Sequence, residues 1–251
     1  MNNRYSIYPS LLDAYTYMQG IEDATEREFK RLELIAKLNR VKQPPTEAAS
    51  RGTALNEIVD SLIMNRSVRE DMTATKGEAN GNYPVWNATL DGFSFCFDAI
   101  LVDTLYEELH DCLCQVFTKA EIEVPQGIVT LYGFPDYVRD NSVIDLKSTS
   151  NYNGSKESGV WLPKYRDHWQ HYVYPYCLVK QGYIDSFDTF SYLVAEVSKG
   201  RDNIIHANLY HEDYNPSMSE IEDTLKEFLT YNFIPFLEDN RHLITDPKVF
   251  S

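Results

Sequence analysis

What these 251 residues lack narrows the field first. No uncharged apolar run is long enough for a membrane helix. The opening Met-Asn-Asn-Arg-Tyr-Ser has no apolar signal core, which argues against secretion. Only four cysteines occur, Cys96, Cys112, Cys114 and Cys177, and none forms a CxxC pair. Three of them cluster in one apolar region, so they read as reduced core thiols of a cytoplasmic protein. There is no internal repeat and no low-complexity segment. Nor is there a G-x-S-x-G, P-loop, H-E-x-x-H or Rossmann glycine pattern to support a hydrolase or binding protein unrelated to nucleic acid.

Positive charge is also scarce. The chain carries 23 basic and 38 acidic side chains, a net charge of −15, which argues against a general nucleic-acid coat protein. The deficit is uneven. Residues 1–120 hold 12 basic and 18 acidic groups, and residues 211–251 hold 3 and 9. Between Gly133 and Lys180 the count is 6 against 5. A locally positive groove on an acidic body still takes a phosphate backbone, with modest and salt-sensitive affinity.

What is present reads as an α/β chain. Its length fits one domain, 1–251, with one sizeable core. We divide it into an N-terminal helical region (1–45), a core (46–211) and a C-terminal helix (212–251). Ser10 with Asp13, and Thr25 with Glu28, resemble capping boxes opening two helices. Gly20 ends the first, and Gln43-Pro-Pro45 stops the second. A third helix starts near Thr46. Met72 to Val85, rich in Gly, Asn and Thr, reads as an exposed loop. Phe93, Phe95 and Phe97 alternate as in a half-buried strand, Ala99 to Leu109 is helical, and Val116 to Val124 is a strand. A helix over Pro163 to Lys180, strands over Phe187 to Val197 and Asn203 to His211, and a helix from Ser217 to Glu238 complete the order. These elements imply a mixed sheet flanked by helices.

The richest stretch is Leu131 to Thr149. It reads as two strands, the first carrying Ile128, Val129 and Leu131, joined by a turn at Arg139-Asp-Asn-Ser142. Asp136 closes the first strand and Asp145 sits in the second. Lys147, two residues on, points to the same side of the pleat as Asp145. Two carboxylates brought together repel unless a cation intervenes. A hard divalent ion with oxygen ligands resolves that, and Mg²⁺ is commonly held by one or two carboxylates plus water and phosphate oxygens.

This stretch resembles the PD-(D/E)XK nuclease signature, with Pro135-Asp136 as the PD and Asp145-Leu146-Lys147 as the (D/E)XK. Further features match the RecB-like, CRISPR-associated-exonuclease-like branch. Arg51-Gly-Thr-Ala-Leu-Asn-Glu57 is similar to its G-T-x-x-H helix, except that Asn56 stands where the branch has a metal-facing histidine. Glu121 resembles the acid preceding the G-x-x-D segment, here Gly133-Phe-Pro-Asp136. Gln170-His-Tyr-Val-Tyr174 matches its Q-x-x-x-Y motif, whose ends share a helix face. The resemblance covers roughly Gly52 to Leu178. The cysteine spacing does not match the iron–sulfur relatives, so no cluster is expected.

The resemblance implies a restriction-endonuclease-like α/β core, and Mg²⁺- or Mn²⁺-dependent phosphodiester hydrolysis on DNA, by preference as an exonuclease, in DNA repair, recombination or phage DNA processing. It implies metal ligation by Asp136, Asp145 and the Leu146 carbonyl, with Glu121 and Asn56 as further candidates. Lys147, Gln170 and Tyr174 complete the catalytic set. Lys164, Arg166 and His168 would contact phosphates, while Trp161, Tyr165 and Trp169 would stack on unpaired bases or pack the core. A helicase or recombination partner, and a prokaryotic or phage origin, fit the same picture. The alternative is a nuclease fold whose chemistry is weakened, acting as a binding module for nucleic acid or protein.

Overall fold

The computed structural model describes residues 3–152 and 163–250. Strand β1 (Asn3–Ile7) is followed by helices α1 (Pro9–Gln19), α2 (Ala24–Leu38) and α3 (Glu47–Ile63). Strands β2 (Met72–Ala79), β3 (Tyr83–Leu90) and β4 (Phe93–Asp98) lead to helix α4 (Ala99–Leu109). Five strands come next: β5 (Leu113–Cys114), β6 (Thr118–Val124), β7 (Gly127–Gly133), β8 (Tyr137–Arg139) and β9 (Ser142–Thr149). Then come α5 (Gln170–Gln181), β10 (Thr189–Lys199), β11 (Ile205–Tyr214), α6 (Met218–Phe228) and α7 (Ile234–Asp239).

The large sheet has eight strands in the order β2-β3-β4-β11-β10-β9-β8-β5, and a small sheet has β1-β7-β6. The large sheet is mixed: β9 and β10 run parallel, while β10–β11 and β8–β9 are antiparallel. Parallel neighbours need a long crossover, usually helical. Here α5 supplies it, which places its first residue, Gln170, over the carboxyl end of β9. Apolar clusters lie on both faces. On β10, Phe190, Tyr192 and Val194 join the cluster beneath α1, α5 and α6, whereas Leu193, Ala195 and Val197 join the one beneath α3 and α4. Burial on both faces explains the nearly unbroken apolar run of this strand. The fold is an α/β, restriction-endonuclease-like core with a central mixed sheet flanked by helices.

Several local expectations are corrected. Met72 to Val85 is not a loop: β2 and β3 form a hairpin turning at Asn80, Gly81 and Asn82, all with positive φ. Half of the β2 residues are exposed and only Met72 is buried, so no apolar alternation marked it. The strand carrying Ile128 to Leu131 is not the partner of β9. It belongs to the small sheet, and the chain crosses to the large sheet through Phe134 and Pro135. Helix α5 starts at Gln170, not Pro163. Helix α1 starts at Pro9 with Tyr8 as its N-cap, so Ser10 lies inside the first turn and no side chain caps the helix; Asp13 turns inward. Asp23, not Thr25, caps α2. The Ser217–Glu220 capping box does open α6, but a π-helical turn at Leu229–Phe233 separates it from α7.

Candidate active site

Strand pairing builds the centre. β8 and β9 pair Tyr137 with Ile144 and Val138 with Val143. Asp136 immediately precedes β8 and lies close enough to Asp145 to feel its charge. Asp136 Oδ2 accepts from the Leu146 amide at 3.0 Å, which pins its carboxylate against β9. Asp145 is 1% exposed. Lys147, on the same face, places Nζ 2.5 Å from Asp145 Oδ2.

Helix α5 closes this face. Gln170 Nε2 donates to Asp145 Oδ1 at 2.6 Å, and Gln170 Oε1 accepts from Lys147 Nζ at 2.7 Å. One amide thus reads both charges and fixes the lysine rotamer. Lys147 Nζ also lies 5.6 Å from the Tyr192 ring centroid, a favourable place for a cation. Tyr174, one turn past Gln170, packs against Gly133: a Cβ there would meet Tyr174 Cε1 at 2.7 Å. Glycine is therefore required by a close approach. A cavity of about 390 Å³ lined by Ser10, Arg40, Phe134, Gln170 and Tyr174 opens beside these residues.

Helix α3 closes the other side. Asn56 Nδ2 lies 3.4 Å from both Asp136 Oδ2 and the Leu146 carbonyl, and its Oδ1 is buried with no partner. Gln115, held at φ 51° after β5, reaches Asp136 Oδ1 and Asp60 Oδ2, each at 3.3 Å. Asp60 is buried, one helical turn from Asn56. On the α1 side, Asp13 accepts from the Trp169 amide at 2.6 Å.

The electrostatics follow from burying carboxylates together. Burial, and then the charge of Asp145, push Asp136 up to about 8. Burial also raises Asp145, opposed by Lys147 and Gln170. Burial disfavours the Lys147 ammonium, but Asp145 and Asp136 outweigh it and its pKa is raised. Burial raises Asp13 to about 6 and also raises Asp60. Among the described residues no group of three or more His, Cys, Asp or Glu side chains could hold a metal ion unaided. The donors at hand are two carboxylates and the Leu146 carbonyl; Asn56 turns its Nδ2 toward them, so its Oδ1 would join only after the amide turns over. That all-oxygen set suits a hard cation retaining water, and a positive charge there would relieve the raised Asp136.

The structure thus brings together Asp136, Asp145, Leu146, Lys147, Asn56, Gln170 and Tyr174. It does not bring Glu121 to them. Glu121 pairs with Thr130 across the small sheet, with its side chain exposed and ion-paired to Arg4 at 2.7 Å. Alternation turns its neighbours Ala120 and Ile122 into the core, and so turns Glu121 out.

The segment before α5 divides. Lys164 Nζ donates to Thr149 Oγ1 and the Asn151 carbonyl, both at 2.7 Å, at the end of β9. Arg166 is exposed. Burial, and then Lys147, push His168 down to about 4, so at neutral pH it brings no positive charge to a phosphate. Trp169 is core: its ring stacks on Phe228 at 3.9 Å and Nε1 donates to Thr16. Tyr165 is buried and stacks on Tyr192. Trp161 lies outside the described residues. Sequence reasoning missed Gln115, Asp13 and Tyr192. Only Asp13, a lone acid in the apolar run of α1, left a signal.

No protein-family model matches the chain, and no curated protein matches it by sequence. Among solved structures, a candidate exonuclease from Eubacterium rectale aligns over 96% of this chain and 83% of its own. The TM-score is 0.52 and the identity 12%. The structure of SSO0001 aligns over 97% of this chain and 79% of its own, with TM-score 0.36 and 14% identity. The first likeness shows a shared fold.

Proposed function

We propose that the chain is a metal-dependent nuclease that hydrolyses phosphodiester bonds in DNA, of the PD-(D/E)XK type. The carrying observation is the contact set in which Gln170 bridges Asp145 and Lys147 while Asp136, bonded to the Leu146 amide, lies beside Asp145. The shared fold with a candidate exonuclease supports the same reading. Asp136, Asp145 and the Leu146 carbonyl would hold Mg²⁺ or Mn²⁺, with Asn56 Oδ1 as a further neutral donor once its amide turns over. When bound, such an ion polarises a phosphate oxygen and makes a water more acidic.

The remaining work falls to the chain. Hydrolysis forms a bond from a water oxygen to phosphorus, breaks one P–O ester bond and leaves a proton on the departing oxygen. Lys147 Nζ, kept charged by the two aspartates, offers a hydrogen-bond donor to the oxygen on which charge accumulates. Gln170 holds that ammonium in one rotamer, so little reorganisation is required at the moment of reaction. Asn56 adds no charge where an imidazole would coordinate more strongly, so the ion should bind weakly and need millimolar supply.

The test is cleavage of linear DNA with Mg²⁺ or Mn²⁺ by wild type, Asp145→Ala and Lys147→Ala. Each variant should lose at least ~10²–10³-fold in rate. Wild-type rates in both would refute the site. A wild type that binds DNA without cutting it in either metal would favour the binding-module reading.

A further inference from the structure

Behind the aspartates, on the α3 face of the sheet, lies a second cavity of about 510 Å³. Arg51, Lys199, Asn87, Ser150 and Ser198 contribute to its lining, with Glu47 as its one acid. Its polar composition is that of an anion seat: two cations, two amides and three hydroxyls against a single carboxylate. Arg51 is the unusual member. It is half-buried on α3, its Nε is buried with no partner, and among the described residues no hydrogen bond or ion pair satisfies its guanidinium. Burial lowers its pKa, and Glu47 opposes this only through space. An Nε–H taken from water and given nothing in return costs free energy that a bound oxyanion restores. Ser148 Oγ, near the end of β9, is likewise buried and has no hydrogen-bond partner among the described residues.

Its position ties this cavity to the catalytic centre. Arg51 precedes Asn56 by five residues, a rise of ~7.5 Å along the helix. Ser150 follows Lys147 by three residues, ~10 Å along an extended chain. Gly52 brings the two elements together, since a Cβ there would sit 3.6 Å from Ser148 Cβ. At ~3.4 Å rise per nucleotide, that separation spans a few nucleotides. The geometry points to a phosphate subsite, formed by Arg51 and Lys199 with Ser150, Ser198 and Asn87, that seats a phosphate of the nucleic-acid strand a few nucleotides from the bond being cut. This rests on the nuclease reading for the identity of the ligand, but not for the anion seat itself.

Two experiments separate those layers. Inorganic phosphate should raise the melting temperature of wild type in a concentration-dependent manner, against chloride at equal ionic strength. Arg51→Gln and Lys199→Gln should each diminish that shift, and the double variant should abolish it. On DNA, Arg51→Gln should raise KM about tenfold with kcat nearly unchanged. It should also flatten the slope of log K against log salt by about one unit. Far-UV circular dichroism checks folding, and should Arg51→Gln not fold, Arg51→Lys serves, with an intermediate loss expected. Oligonucleotides with a 5′-phosphate, a 3′-phosphate or neither tell the source: a terminal seat makes the Arg51 effect depend on the end group, and a backbone seat does not. Absence of any phosphate-specific shift in wild type overturns the anion seat. A wild type that cuts DNA while Arg51→Gln matches it in KM and salt slope overturns the subsite alone. An Arg51-dependent phosphate shift in a protein that neither binds nor cuts nucleic acid keeps the seat and removes the nuclease reading.

Discussion

The two faces of β9 carry charge in opposite ways. On the α5 face, Asp145 and Lys147 are in contact and Gln170 completes both. On the α3 face, Arg51 is half-buried with its Nε unsatisfied. A buried ion pair bridged by a third side chain is a closed unit, and removing one member exposes the cost of the other. A half-buried cation whose Nε lacks a partner is open, and its removal should cost the fold little. The difference separates groups the fold holds for each other from groups it holds for a ligand.

Mutations test that contrast directly. Lys147→Ala should destabilise the protein by about 3 kcal/mol in urea unfolding, because Asp145 is left buried without its cation. The double change Lys147→Met with Asp145→Asn should recover much of it, and equal losses in single and double variants would contradict the closed-unit view. Next in size is a pH effect. His171 is buried, stacked on Tyr214 and pushed down to about 3 by burial. The unfolded chain takes up this proton near its ordinary value of 6.5, and the folded chain does not until about 3. Its contribution is therefore full above pH 6.5 and is lost as pH falls toward 3, at up to ~1.4 kcal/mol per pH unit. Asp13, raised to about 6, acts in the opposite sense over part of that range. The comparison is thus wild type against His171→Leu, whose acid-side loss should be shallower by about that slope. Gly133→Ala should cost about 1–3 kcal/mol, because Tyr174 must give way. Smallest is Arg51→Leu, expected within about 0.5 kcal/mol of wild type or slightly more stable. A loss of several kcal/mol there would show that the cation serves the fold.

Much of this centre was legible in the sequence because its residues sit at fixed spacings on regular elements. Asp145 and Lys147 two apart on a strand, and Gln170 and Tyr174 four apart on a helix, must share a face wherever those elements go. The crossover between parallel strands then carries the helix over the strand. What spacing does not encode was not legible. Gln115 and Asp13 arrive from distant segments, and no local period announces that. Glu121 followed the expected order along the chain but lies on the other sheet, because the crossing at Phe134 and Pro135 is a tertiary event. Trp169 and Tyr165 have the composition of a stacking platform, yet aromatics beside a helix start are equally suited to a core, and Phe228 and Tyr192 claim them. The strand β2 escaped notice because a solvated hairpin needs little apolar alternation.

The central claim is that Asp136 and Asp145 lie side by side in order to hold a cation that acts on a phosphodiester. The most direct measurement is the rate of linear DNA cleavage as a function of Mn²⁺ concentration for wild type and Asp136→Asn. The account predicts a saturable Mn²⁺ dependence in wild type, no cleavage in EDTA, and in Asp136→Asn a rate reduced at least ~10²-fold or a Mn²⁺ requirement shifted at least ~10-fold upward. A rate independent of Mn²⁺, or one unchanged in Asp136→Asn, would contradict it.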